Sequence, residues 1–276
     1  MRTVWRGITV SAALVLLAST AGAGGPPSGV LKKCPVDGVV SGAGCMDKYE
    51  ASVWRVPAPT GINKGLVVKI QGGKATAADL AAGGATQLGI GFTDDYAPCV
   101  DSGQNCSDDI YAVSLPAVPP SASITWFQSQ AACENARKRL PSNAEWQAAV
   151  AGTPDPGNPS PDNGTTDCNS NNTNMVSLTG SRNSCKSARG AFDMVGNLEE
   201  WVADWVPRST TCGSWSPVVS PTGDIQCLAG AATTGEPGAL LRGGFFGNGS
   251  FAGPLEVVGL DGPSVASGDI GFRCAR

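Results

Sequence analysis

Carboxylates crowd one short run of this 276-residue chain. Gly190 to Trp205, GAFDMVGNLEEWVADW, sets Asp193, Glu199 and Glu200 around a Gly196-Asn197 turn, with Met194, Trp201 and Trp205 alongside. Such residues can bind a hard cation through several oxygens, carry out acid–base work as a pair, or simply satisfy loop amides. Adjacent glutamates point in different directions on a helix or a strand, so Glu199 and Glu200 make a weak hydrolase pair. The chain has no histidine. Ser-His-Asp and Cys-His constellations, the HExxH zinc site and a base with an ordinary pKa near neutrality are therefore excluded. Paired carboxylates, a lysine or cysteine redox chemistry remain.

Ten cysteines, an even number, all lie beyond residue 33. Without histidine they read as a disulfide framework of an oxidising compartment rather than as metal ligands. The amino-terminal sequence agrees. Residues 1–23 carry Arg2 and Arg6, the apolar run Ile8 to Leu17 and a small-residue end, the pattern of a cleavable export signal. The apolar run is short of the roughly 20 residues a membrane span needs, which leaves an uncleaved anchor as the alternative. Cys34 lies too far downstream for lipid attachment. Of 19 basic residues, loss of Arg2 and Arg6 leaves 17 against 23 acidic, a net charge of −6, the wrong sign for a nucleic-acid partner. The expected product is periplasmic or secreted, with no transmembrane anchor after cleavage.

The elements that must position the carboxylate run follow from local patterns. Residues 24–33 form a Gly/Pro-rich flexible leader. Lys33 to Asp47 reads as a hairpin closed by Cys34 with Cys45, and Met46 to Val56 as a strand entering the core. Gly61 to Gln87 reads as an insertion: a strand over Leu66 to Ile70, a turn at Gln71-Gly72-Gly73, and an alanine-rich helix from Thr76 to Ala82. Asp94, Asp95, Asp101, Asp108 and Asp109 surround Cys99 and Cys106. Their spacing is not that of an EF-hand, so a solvated loop pinned by one disulfide is the expectation, with calcium conceivable. Thr125 with Gln128 and Ser142 with Glu145 have capping-box spacing. They predict a helix from Trp126 to Arg137 and a second through Trp146 and Val150. Thr153 to Arg189 is polar loop; Cys168 and Cys185 bracket its second half, and a bridge between them would tether an Asn-rich loop as the rim of a binding site. Pro207 to Gly238 is loop again, with Cys212 paired to Cys227 around Trp215.

Four blocks in order, CMDKYEAS, RLPSNAEW (Arg139 to Trp146), the Gly190 to Trp205 run, and LRGG with GFRCAR, resemble the formylglycine-generating enzyme or sulfatase-modifying factor family. The resemblance runs from about Cys45 to Arg276. It implies an α+β fold of the C-type-lectin-like type: one domain over 34–276 with short strands, two main helices and extensive disulfide-stapled loops. It further implies a structural calcium ion held by Asp193, the carbonyls of Gly196 and Leu198, and Glu200, and a disulfide from Cys133 to Cys274. Glu199 stands where the family usually has tryptophan. Members of the family that oxidise protein cysteine bind copper through two cysteines between Arg-Gly-Gly and Gly-Phe-Arg-Cys. Here that interval, Phe245 to Ile270, contains none. Neither serine nor glycine replaces a soft thiolate for Cu(I), so copper is not expected.

The resulting expectation is an exported, non-catalytic, lectin-like binding module for a protein, peptide or glycan, with Phe246, Asn248, Phe251 and Leu255 at its site and calcium as a structural ion. The alternatives are an oxidase-like enzyme acting on protein cysteine and a structural component of a cell-envelope assembly.

Overall fold

The computed structural model describes residues 33–106, 109–155, 162–171, 173–208, 210–211, 226, 228–231 and 235–276. The expected signal, nearly all of the leader, Asp108, and the Cys212, Trp215 and Cys227 group lie outside the described residues.

The amino-terminal hairpin is β1 (Gly38–Ser41) paired with β2 (Gly44–Asp47), and Cys34 is bonded to Cys45 as expected. The strand expected over Met46 to Val56 is interrupted: after β2 the chain turns at Lys48 to Glu50 and restarts as β3 (Ala51–Arg55). That break matters, because it carries Glu50 inward. β3 is the centre of a three-stranded antiparallel sheet between β4 (Thr86–Leu88) and β5 (Ile110–Ser114).

The insertion departs from the sequence reading. Leu66 to Ile70 is not a strand; it lies in helix α1 (Lys64–Gln71), followed by α2 (Ala77–Ala82) with a complete Thr76–Asp79 capping box. A strand would place Leu66, Val68 and Ile70 on one face. In the helix Leu66 and Ile70, four residues apart, are buried while Val68 faces water. Burial beside Tyr111, Val113 and Ala136 outweighs the β preference of the Val-Val pair. The described residues thus hold four α-helices: the two main ones, the alanine-rich helix expected from Thr76 to Ala82, and α1 in place of the expected strand.

α3 (Trp126–Asn135) and α4 (Asn143–Val150) both begin with the expected capping boxes, Thr125 with Gln128 and Ser142 with Glu145. α3 stops two residues short of the expected Arg137, which adopts φ 55° and ends the helical path. The second sheet runs in the order β10 (Val257–Val258), β9 (Gly238–Arg242), β6 (Glu199–Val206), β11 (Ile270–Phe272), with β11 parallel to β6 and the other pairs antiparallel. A two-residue pair, β7 (Thr210–Thr211) and β8 (Leu228–Ala229), completes the strands among the described residues.

The two ends of the domain close on each other. Cys45 and Arg276 exchange backbone hydrogen bonds at 2.9 and 2.7 Å, and Arg139 and Ala275 do so at 3.0 and 2.7 Å. The Cys133–Cys274 disulfide fixes α3 to the residues after β11 across 141 positions of sequence. Cys99–Cys106 and Cys168–Cys185 staple loops locally, as expected. One core lies between the two sheets and α3, around Trp201, Ile124 and Phe272; a second lies under α4, around Trp146, Met194 and Val202. The Gly190 to Trp205 run passes between them. No helix among the described residues is long and apolar enough to cross a membrane.

Candidate functional site

The turn before β6 is a tight backbone construction. Asp193, Gly196 and Asn197 have φ of 55°, 71° and 65°. A Cβ on Gly196 would sit 2.2 Å from the Asn169 carbonyl oxygen, so only glycine fits there. Asn197 then latches the neighbouring loop: its Oδ1 accepts from the Ser177 amide (2.8 Å) and Asn169 Nδ2 (3.0 Å). Its Nδ2 donates to Glu50, whose other oxygen accepts the Leu198 amide at 2.9 Å. The bracketed loop is therefore attached directly to the signature, and Glu50 from the β2–β3 turn supports it from below.

Arg273 is the hub beneath this turn. Its Nε lies 2.8 and 2.9 Å from the two Glu200 oxygens, and its Nη2 donates to Glu200 and to the Phe192 and Asp193 carbonyls. Nη1 donates to the Asp47 carbonyl at 3.2 Å. Trp146 adds its indole N–H to Glu200 at 2.7 Å. Asp193 accepts the Gly180 amide at 2.6 Å. Three buried carboxylates, Glu50, Asp193 and Glu200, thus share one buried arginine. Burial pushes the Asp193 carboxyl up to about 7, against the pull of the Gly180 amide and Arg273. Burial, with the charges of Asp193 and Glu200 beside it, holds Glu50 well above the ordinary glutamate range. The cluster is short of positive charge, and either protons or a cation would relieve it.

The four expected calcium ligands are adjacent here, but they are engaged unequally. Both Glu200 oxygens face Arg273 and Trp146, so this carboxylate already has cationic and neutral donors. Asp193 and Glu50 are the side chains with the charge deficit. Among the described residues, no group of three or more acidic, cysteine or histidine side chains converges at metal-binding distance. The buried charge excess fits a cation; the Arg273–Glu200 pair competes with one.

Glu199 points the other way along β6, as alternation requires. It lies beside Glu256, and burial, then the Glu256 charge, raises it well above the glutamate range, with Asp269 and Asp261 adding to the effect. Glu199 and Glu200 do not converge, and the Glu199–Glu256 pair is buried away from solvent. The tryptophan position of the family has become a carboxyl pair in the core. In the acidic loop, Asp95 accepts the Gly89 amide at 2.8 Å and Asp109 pairs with Arg55 at 3.0 Å.

The closing segment does not gather its four expected ligand residues in one place. Phe246 packs against Phe92 (ring centroids 5.8 Å apart) and Phe245 (5.4 Å). Asn248 accepts the Phe245 amide at 2.9 Å and braces the local turn. Phe251 is exposed on the short 3-10 turn that follows. Leu255 instead lines a separate cavity of about 490 Å³ with Asn143, Gln147 and Arg242. There Arg242 donates to the Glu256 and Pro254 carbonyls, and its guanidinium stacks 4.3 Å from the Trp146 ring centroid.

Beside Phe246 lies an apolar cleft of about 200 Å³, lined by Ile90, Phe92, Pro119, Met175 and Leu178 among others. Ile90 is 42% exposed, Phe92 45%, Met175 64% and Leu178 46%. Sequence reading missed these four. Their only signal was an isolated apolar residue within a polar loop. Glu50, Trp146 and Arg273 were also missed as partners of the signature, although each stands in one of the four recognised blocks.

Residues 96–276 match the sulfatase-modifying factor enzyme 1-like domain family. The chain belongs to that family. A formylglycine-generating enzyme of Streptomyces coelicolor is 27% identical over 182 residues, which are 57% of this chain and 52% of that enzyme. The chain therefore spans about half the length of the curated relative it matches. Among the solved structures similar to it are the following two. The Major Tropism Determinant I1 variant has a TM-score of 0.46 at 18% identity, over 88% of this chain and 52% of that one. PvdO from Pseudomonas aeruginosa has a TM-score of 0.41 at 20% identity, over 84% and 80%.

Within this sulfatase-modifying factor domain the mixed α+β fold is the one the resemblance implied. The cysteine of its Gly-Phe-Arg-Cys block, Cys274, is bonded to Cys133, so it is structural. Eight of the ten cysteines are in disulfides among the described residues. The segment between Gly244 and Gly271 brings aromatic rings and an amide to the surface, where the resemblance would place two thiols.

Proposed function

We propose that this chain is an exported, non-catalytic binding module of the sulfatase-modifying factor family, gripping an apolar segment of a protein or peptide. The observation that carries this reading is the exposed face of Ile90, Phe92, Met175 and Leu178 beside Phe246, on loops held by a rigid scaffold. Contiguous exposed apolar surface marks an interaction site, and unbranched methionine adapts to varied partners. The absence of cysteine between Gly244 and Gly271 supports the non-catalytic part, because copper oxidation of a thiol needs soft ligands there. Four disulfides support an oxidising, extracytoplasmic destination. A structural calcium ion at Asp193 with the Gly196 and Leu198 carbonyls belongs to the same proposal, and the charge deficit around Glu50 supports it.

The test uses the mature chain with its disulfides intact, screened against an immobilised array of apolar and polar peptides. Retention of apolar peptides that Phe246→Ala and Met175→Ser together abolish, at unchanged melting temperature, is the expected result. Copper-dependent oxygen consumption with a cysteine-containing sulfatase peptide would instead establish the oxidase reading. Peptide retention that survives both substitutions would move the site elsewhere.

A further inference from the structure

A second cavity, of about 390 Å³, lies between the first hairpin, the link from α1 to α2 and the end of β5. Its size falls in the range of small-molecule sites, which begin at about 300 Å³. The walls are mostly apolar, with Val36, Tyr49, Ala75 and Leu115 among them, and Lys48 and Lys74 are its basic residues. Asp37 is the acidic member of the lining, and it is already neutralised by Lys138 at 2.9 Å and Arg276 at 3.0 Å.

The lysines are in a different position. Lys48 Nζ stands 5.6 Å from the centroid of the Tyr49 ring and 5.8 Å from that of Phe192, and Lys186 Nζ stands 5.3 Å from Phe192. The two rings stack 5.3 Å apart, so two ammonium groups share one aromatic pair. Ring faces attract cations only weakly at exposed sites and do not cancel their mutual repulsion. Neither these two lysines nor Lys74 has a carboxylate partner among the described residues. The amino-terminal segment cannot supply one, because residues 1–36 contain no aspartate or glutamate. In a chain of net charge −4, this is a local reversal of sign at the mouth of an apolar cavity.

We infer that this cavity binds a small organic carboxylate, whose apolar body lies against Tyr49, Ala75 and Leu115 and whose anionic group meets Lys48 and Lys74. The cationic rim selects charge, and the apolar wall selects a carbon skeleton over inorganic anions. This site is separate from the Phe246 face, so either can fail without the other.

The probe is 2-naphthoate, titrated into the full exported chain by calorimetry, with neutral 2-naphthamide as the isosteric control. Saturable one-to-one binding is expected, at least about tenfold tighter than the amide, since charge-assisted hydrogen bonds are roughly twice as strong as neutral ones. Lys48→Gln with Lys74→Gln should weaken naphthoate about tenfold or more. Val36 is 78% exposed, so Val36→Glu is tolerated by the fold and should abolish binding by giving the lysines an internal partner. Phe246→Ala should leave the affinity unchanged. Equal binding of the amide, indifference to the lysine or Val36 substitutions, or no saturation up to about 10 mM probe would overturn the assignment.

Discussion

Raising the pH in the presence of a chelator should destabilise this domain, and the buried carboxylate cluster sets how much. A carboxyl group whose folded pKa lies above its unfolded value holds a proton in the native state that the unfolded chain has released. Its stabilising effect is fully present below the unfolded value, near 3.8 for Asp193, and is lost as pH rises to about 7. Between pH 5 and pH 7 that loss is on the order of 2 kcal/mol, since the native carboxyl is still half protonated at pH 7 and each unit is about 1.4 kcal/mol. Glu50, Glu199, Asp47 and Asp261 are all raised by burial and push in the same direction. Glu145 and Asp79, held near 2 by Arg139 and by Lys69 with Thr76, titrate below this window and do not oppose them. For a domain of this size the Asp193 share alone lowers Tm by about 4–8 °C. The assay is thermal melting by circular dichroism at pH 5, 6, 7 and 8 in EDTA, on the wild-type chain and on Asp193→Asn. The wild type should lose stability steadily and the variant should lose less. Excess calcium should flatten the wild-type slope, because the proposed cation would hold Asp193 ionised. A Tm in EDTA that is constant or rises from pH 5 to pH 8, and is the same in the variant, would refute the charge deficit.

Three further outcomes are expected. Replacing Cys133 and Cys274 together by serine opens the 141-residue link and should cost about 5 kcal/mol in the chain-entropy model, read as a lower urea midpoint. Trp146→Phe keeps the ring stacked on Arg242 but removes the donor to Glu200. Denaturant titration should show a loss of about 1–3 kcal/mol, and a neutral result would mean that Arg273 alone satisfies that carboxylate. Ser142→Ala removes the oxygen that caps the Glu145 amide and should lower stability by about 1 kcal/mol, whereas Ser142→Thr should retain most of it.

Helix starts were legible because their signals are local. A hydroxyl and a Gln, Glu or Asp three residues later satisfy each other's backbone amides whatever the tertiary environment, and Thr76, Thr125 and Ser142 all do so. The neighbouring disulfides were legible because short loops limit the choice of partner, and Cys133 with Cys274 only because the resemblance implied it. α1 was misread because Leu66, Val67, Val68 and Ile70 favour strand intrinsically, and only contact with β5 and the end of α3 selects the helix that buries Leu66 and Ile70.

Sequence alone determined the family, the four disulfides found among the described residues, the exclusion of histidine chemistry and the position of the carboxylate turn, since each depends on residue identity and on blocks of local order. The tertiary structure decided how those residues are used. Glu50, Trp146 and Arg273 come from segments as much as 223 residues apart, and only their convergence makes Glu200 an ion-pair partner and leaves Asp193 short of positive charge. The apolar face was equally invisible, because Ile90, Phe92, Met175 and Phe246 lie in three separate loops. Periodicity reports a face only within one regular element; a surface assembled from loops exists only once the chain has folded.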